Sequence, residues 1–245
     1  MLKNQIIIFG TSGKLGSAIC ELARETCLEI IGVGRSIGSN CTEEWELDFT
    51  DTSEIIKMLS KIKISKLKGI IFCQRSRENP ENEVDDLYRR LQVELNPILA
   101  TKSFLNKIKQ PSNINLVTIT SNASSMLNID VDYNYHIIKS SVLQAGMALS
   151  MINSKANIFS NAISFGEVVD TRITNHNSFK KKIFNKLGSI SPTKKIASLQ
   201  DVAQLALQLM DAEKINLNNQ IITLDGGINM ISQDAIIRSI WKKYE

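Results

Sequence analysis

Apolar positions along the chain fall into two patterns that take turns. Short runs such as Ile6-Ile7-Ile8-Phe9, Glu29 to Gly34, Gly69 to Cys73, Asn115 to Thr120, Asn157 to Ile163 and Gln220 to Leu224 lack the in–out alternation of a half-exposed strand. They read as strands buried on both faces, as in a parallel sheet. Between them, apolar residues recur at three- and four-residue steps, which places them on one side of a helix. Leu15, Ala18, Ile19, Leu22 and Ala23 predict a helix over 15–25, and residues 52–62 predict another, with Thr52 as its cap. Residues 81–109 read as one long helix that Pro97 should bend by removing an N–H, with Pro111 marking its end. Ile138, Val142, Ala145 and Leu149 predict a helix over 134–152, and residues 200–212 predict a last one. Strands alternating with helices predict an α/β fold, a single doubly wound domain over 1–245 with a parallel sheet and helices on both faces.

Composition narrows this picture without changing it. The chain has 245 residues, 43% hydrophobic and 22% charged, enough to bury a substantial core. Its 4 prolines and 12 glycines are scattered, so no linker or repeat divides it. A net charge of +4 is small, and no nucleic-acid partner is expected. The 4 cysteines form no CxxC pair and the 2 histidines, His136 and His176, are far apart, so no metal site is expected. The opening residues hold no apolar run long enough for a signal segment or a membrane span, and no membrane partner is expected. Together with the cysteine usage, this points to a reducing cytoplasm.

Gly10-Thr11-Ser12-Gly13-Lys14-Leu15-Gly16 lies between the first strand and the first helix. At that place backbone N–H groups and the helix N-terminus can hold a pyrophosphate, so the whole turn is a candidate cofactor site of the Rossmann type. The residue at the end of the second strand then selects the dinucleotide, an acid favouring NAD and a base NADP. Here it is Arg35, 19 residues past Gly16, and its guanidinium suits a 2′-phosphate. NADP(H) is therefore expected over NAD(H). Lys14 offers a second charge or is simply a solvated lysine of the first turn, and Asp48 is placed to hydrogen-bond adenine.

Tyr135 and Lys139 are four residues apart and so share a helix face. Ser121 precedes Tyr135 by 14 residues, just past the C-terminal end of the fourth strand, where open α/β sheets bind ligands. Hydride reduction of a carbonyl needs a proton donor at the developing alkoxide and donors that hold its oxygen. Tyr135, Lys139 and Ser121 are the candidates for these tasks. Tyr133 is a rival phenol, but its fourth neighbour is Ile137.

These residues resemble the short-chain dehydrogenase/reductase family from Ile6 to about Gly227. The glycine turn, Ser121, Tyr135 with Lys139, and Asn161-Ala162-Ile163-Ser164-Phe165-Gly166 look like its motifs, as do Gln200-Asp201-Val202-Ala203 and Asp225-Gly226-Gly227. The resemblance implies that Tyr135 is the general acid/base, that Ser121 and Lys139 support it, and that Tyr135 and Lys139 also touch the nicotinamide ribose. It places Gly166, Val169 and Thr171 along the nicotinamide, and a substrate lid at about 170–198. It further implies a small-molecule substrate and a homodimer or homotetramer built on the helices at 81–109 and 134–152.

The departures from the family pattern are specific. Its Asn-Asn-Ala-Gly is here Phe72-Cys73-Gln74-Arg75, so Phe72, Cys73 and Gln74 take the cofactor-facing places and Arg75 becomes a candidate for contacting a phosphate. The helix asparagine of the catalytic tetrad falls at Glu94 or Asn96, of which Asn96 is the expected catalytic residue. Phe165 replaces a proline, and the Ser121–Tyr135 and Gly166–Thr171 intervals are each one residue longer than usual. The lysines at 180–182, 186 and 194–195 read as a solvated surface more readily than as an anion site, and His136 as structural or on the surface. Two function classes follow: an NADP(H)-dependent oxidoreductase interconverting a carbonyl and a secondary alcohol, or a degenerate dinucleotide-binding protein that senses or scaffolds. Substrates as different as 3-oxoacyl thioesters, sugar derivatives and secondary metabolites fit the first.

Overall fold

The computed structural model describes residues 4–38, 41–76, 83–129, 131–166, 168 and 178–241. Val169 and Thr171, both expected along a nicotinamide, lie outside them. Among the described residues, seven strands form one sheet: β1 (Gln5–Phe9), β2 (Glu29–Gly34), β3 (Glu43–Glu46), β4 (Leu67–Phe72), β5 (Asn113–Ser121), β6 (Asn157–Phe165) and β7 (Ile221–Leu224). Their order is β3-β2-β1-β4-β5-β6-β7 and every pairing is parallel, as Ile6↔Ile30, Ile8↔Ile71 and Val117↔Asn161 show. The order reverses between β1 and β4, and open sheets of this kind bind ligands at the carboxyl ends of such a pair.

The unbroken apolar runs follow from burial on both sides. Ile7, Phe9, Ile31, Ile70, Phe72 and Leu116 point into one core, under helices α2 (Thr52–Leu59), α3 (Glu83–Leu105) and α4 (Tyr133–Ala148). Their strand neighbours Ile6, Ile8, Ile30, Ile71 and Val117 point into the other. Helix α1 (Lys14–Ala23) closes that second core with the helix over Leu199–Gln208.

Several boundaries differ from those the sequence predicts. β3 is an edge strand of sequence Glu43-Glu44-Trp45-Glu46, whose charges suit an exposed edge and hide it from an apolar pattern. The cap of α2 is Asp51, which accepts from the Ser53 and Glu54 N–H groups, rather than Thr52. α3 continues through Pro97, held by the burial of Val93, Ile98, Ala100 and Leu105. Within the lysine-rich stretch, Ser178–Ile190 forms a helix, α5. It is followed by α6, the helix over Leu199–Gln208, opened by a Ser198–Asp201 capping box, and by α7 over Gln233–Trp241. No helix among the described residues is long and apolar enough to cross a membrane.

Candidate active site

The glycine turn is shaped by two close approaches. Gly10 has φ +97°, a conformation that L side chains rarely adopt, and a Cβ there would lie 2.6 Å from the Gln74 backbone nitrogen. A Cβ on Gly16 would run into the Gly10 carbonyl oxygen, so α1 packs directly on the turn. Gly13 sits at the N-cap of α1 with no side-chain hydrogen bond to the helix, whose first turn holds no acid. The N–H groups of the first helical turn, with Ser12 and Gly13 exposed beside them, form a cradle suited to an anion. These residues fit a pyrophosphate. Gly16→Ala is expected to cost about 1–3 kcal/mol through overlap alone, measured as a lower urea midpoint; an unchanged midpoint would show that helix and turn can move apart.

Arg35 is exposed and follows directly on Gly34, which packs against the turn: a Cβ there would lie 3.1 Å from the Ser12 nitrogen. Arg35 thus emerges at the rim of the cradle. Asp48 is exposed beyond β3, its carboxylate accepting from the Thr50 N–H at 2.9 Å. Lys14 opens α1 and Leu15 packs towards the core beside it.

At the end of β4 stand Phe72, Cys73 and Gln74, expected to face a cofactor. The Phe72 ring stacks on Phe9 in the core, with centroids 5.7 Å apart. The Cys73 thiol donates to the Phe9 carbonyl at 3.0 Å, and burial pushes it up to about 12 although the Lys139 charge acts against this. Gln74 donates from its side-chain amide to the Glu94 carbonyl at 2.7 Å. All three side chains turn inward rather than towards the crevice. Only Arg75, exposed, turns towards the candidate catalytic residues.

Those residues are set by the packing of α4 on β5. A Cβ on Gly146 would collide with the Thr118 side chain, so the helix lies close to the strand, and Thr120 donates to the Lys139 carbonyl at 3.1 Å. Tyr135, half-buried, and Lys139 project from one side of α4, with Lys139 Nζ 5.5 Å from the Tyr135 ring centroid. Ser121 ends β5 and accepts from the Ala123 N–H at 3.3 Å. The turn that follows is tied down on two sides. Ser164 donates to Asn122 at 3.0 Å, and His136 bonds the Ala123 carbonyl at 2.9 Å and Asn128 through its other nitrogen. His136 is structural, as its spacing implies. Gly166 borders the same turn, 3.0 Å from Asn122 Nδ2 if it carried a Cβ.

Asn96 does not join this group. Its amide donates to the Phe49 and Thr50 carbonyls at 2.9 and 3.2 Å, bracing the loop between β3 and α2. Glu94 stands in its place, fully buried, accepting from Lys139 Nζ at 2.6 Å with one oxygen and from the Ser76 N–H at 3.3 Å with the other. An ammonium has three N–H donors, so Lys139 keeps two for a ligand. A second ion cluster braces the start of α4: Arg90 reaches Asp86 at 3.1 Å and Asp132, the N-cap, at 2.7 Å. Desolvation raises the Asp132 carboxyl, but the Arg90 hydrogen bond and charge hold it below its ordinary range. No cluster of three metal-binding side chains occurs among the described residues.

Comparison with known proteins agrees with this fold. A family model described as Enoyl-(Acyl carrier protein) reductase matches residues 34–229. No curated protein matches the sequence significantly. Among solved structures, the aldohexose dehydrogenase of Thermoplasma acidophilum superposes with a TM-score of 0.75 at 16% identity, covering 94% of this chain and 96% of its own. The gluconate 5-dehydrogenase of Burkholderia cenocepacia, solved with NADP and tartrate, gives 0.75 at 14% identity over 94% and 97%. A short-chain dehydrogenase/reductase of Brucella melitensis gives 0.73 at 18% identity over 92% and 96%. At such identities the neighbours establish a shared fold, and the family model, matching most of the chain, establishes that it belongs to the short-chain dehydrogenase/reductase family of oxidoreductases.

Proposed function

We propose that the protein is an NADP(H)-dependent oxidoreductase that interconverts a carbonyl and a secondary alcohol. The observation that carries this reading is the placement of Tyr135 and Lys139 on one side of α4, at the end of β5 where Ser121 stands, with Nζ 5.5 Å from the ring. The cofactor would supply or accept the hydride. Tyr135 gives its phenolic proton to the substrate oxygen during reduction and takes it back during oxidation. Ser121 Oγ donates to that oxygen and holds it in place. Lys139 keeps its charge beside the phenol and uses its remaining N–H groups on the cofactor ribose. Glu94, rather than Asn96, anchors Lys139 from behind.

The glycine turn, Gly10 to Gly16, would hold the pyrophosphate, and Arg35 the 2′-phosphate. The neighbours support this choice of dinucleotide: one was solved with NADP, and another is described as an NADPH dependent reductase. Arg35→Ala is expected to lower NADPH affinity by roughly tenfold or more, the range of a charge-assisted hydrogen bond, while NADH affinity stays the same. Cofactor fluorescence titration measures both. An unchanged ratio would show that another group reads the ribose.

The segment at about 170–198 would serve as the substrate lid, with α5 inside it. Val84, Tyr88, Leu99 and Tyr133 expose apolar surface on α3 and α4, which supports a homodimer or homotetramer built on these helices. A degenerate, non-catalytic protein is the competing reading, favoured by the Glu94 carboxylate on Lys139 and the inward-turned Phe72 to Gln74. Oxidation of NADPH in the presence of a panel of aldehydes and ketones separates the two: turnover with any of them supports the oxidoreductase, and cofactor binding without turnover across the panel supports the other.

A further inference from the structure

The cations around Tyr135 are not equivalent. Lys139 is held by Glu94 at 2.6 Å in the protein interior, where a close carboxylate cancels most of its field. Arg90, at the base of α4, is shared between Asp86 and Asp132 at 3.1 and 2.7 Å. Arg75 differs from both. It is exposed, its guanidinium carbon lies 5.0 Å from the Tyr135 ring centroid, and no carboxylate among the described residues pairs with it.

The aromatic face steadies the guanidinium over the phenol through a cation–π contact. Its N–H donors make no hydrogen bond to the described residues, and their fork geometry matches a carboxylate bidentately. The chain places this group directly after Gln74, whose inward hydrogen bond to the Glu94 carbonyl fixes the backbone from which Arg75 springs.

We propose that Arg75 is a specificity-determining residue that anchors a carboxylate on the substrate, so that the site takes carbonyl compounds, and the matching hydroxy compounds, bearing an acid group a few carbons from the reacting centre. This rests on Tyr135 being the group that meets the substrate oxygen. With Lys139 compensated by Glu94, the uncompensated positive charge next to the phenol belongs to Arg75. An anionic substrate pairs with it, and a neutral one leaves it to water. The phosphates of the cofactor have their own cradle at the glycine turn and Arg35, so Arg75 is not needed for them.

The test is isothermal titration of the full chain saturated with NADP+, using 3-hydroxybutanoate and, as its neutral twin, methyl 3-hydroxybutanoate. The wild-type protein is expected to bind the acid about tenfold or more tightly than the ester. In Arg75→Ala the ratio should fall to near one with NADP+ affinity unchanged, and Arg75→Lys should keep part of the preference as a point charge without the fork. Equal affinity for acid and ester in the wild type, binding of neither, or a preference that persists in Arg75→Ala would overturn the proposal. If NADP+ itself fails to bind, the cofactor reading is what fails, and the same acid-to-ester ratio measured on the free protein still decides the role of Arg75.

Discussion

Tyr135→Phe is expected to reduce turnover of a carbonyl substrate by roughly 10²–10⁴-fold, the usual contribution of a positioned general acid, while NADPH still binds. The substitution removes one oxygen. The ring stays, so the packing of α4 and the cation–π contact of Arg75 with Tyr135 are retained. Loss of rate with binding preserved would place the phenol in the chemical step. Turnover close to that of the wild type would remove Tyr135 from it, and would turn attention to the exposed Tyr133 on the same helix. Steady-state rates and a fluorescence titration on the same preparation give both quantities.

The second large effect concerns stability. Glu94→Ala leaves the Lys139 ammonium buried without its carboxylate and the Ser76 N–H without an acceptor. Breaking a buried pair by removing one partner costs about 3–5 kcal/mol, and a denaturant midpoint should fall accordingly. Replacing both, Glu94→Leu with Lys139→Met, removes the stranded charge. That double variant should recover much of the stability, since apolar residues of similar volume often replace a buried pair at little cost, yet remain inactive for want of the ammonium. A single Glu94→Ala loss below about 1 kcal/mol, the range of exposed pairs, would mean that Lys139 finds another partner and that Glu94 does not anchor it.

The sequence made the frame of the fold readable because burial on both faces writes itself into strands as unbroken apolar runs. The same reasoning misses β3, whose Glu43-Glu44-Trp45-Glu46 is an edge where charge is favoured and no run exists. It also passes over α5, where Ile183, Leu187 and Ile190 keep helical spacing amid lysines. For the candidate site, the spacing of Ser121, Tyr135 and Lys139 made legible their placement at one strand end and on one helix.

Glu94 and Asn96 were harder to separate. Two residues apart on a helix, they point about 200° away from each other, so only the register of α3 decides which meets Lys139. Pro97 obscures that register in the sequence, and the structure sets it by burying Val93 and Ile98. The inward turn of Phe72, Cys73 and Gln74 depends on partners remote in sequence, Phe9 and Glu94, and no local pattern encodes it.

One measurement bears most directly on the cofactor site: titration of the purified protein with NADPH and, separately, NADH, followed by cofactor fluorescence. Saturable NADPH binding with NADH weaker by roughly tenfold or more is the expected result, since only NADPH carries the phosphate that Arg35 is placed to hold. Binding of neither, or equal binding of both, would contradict it.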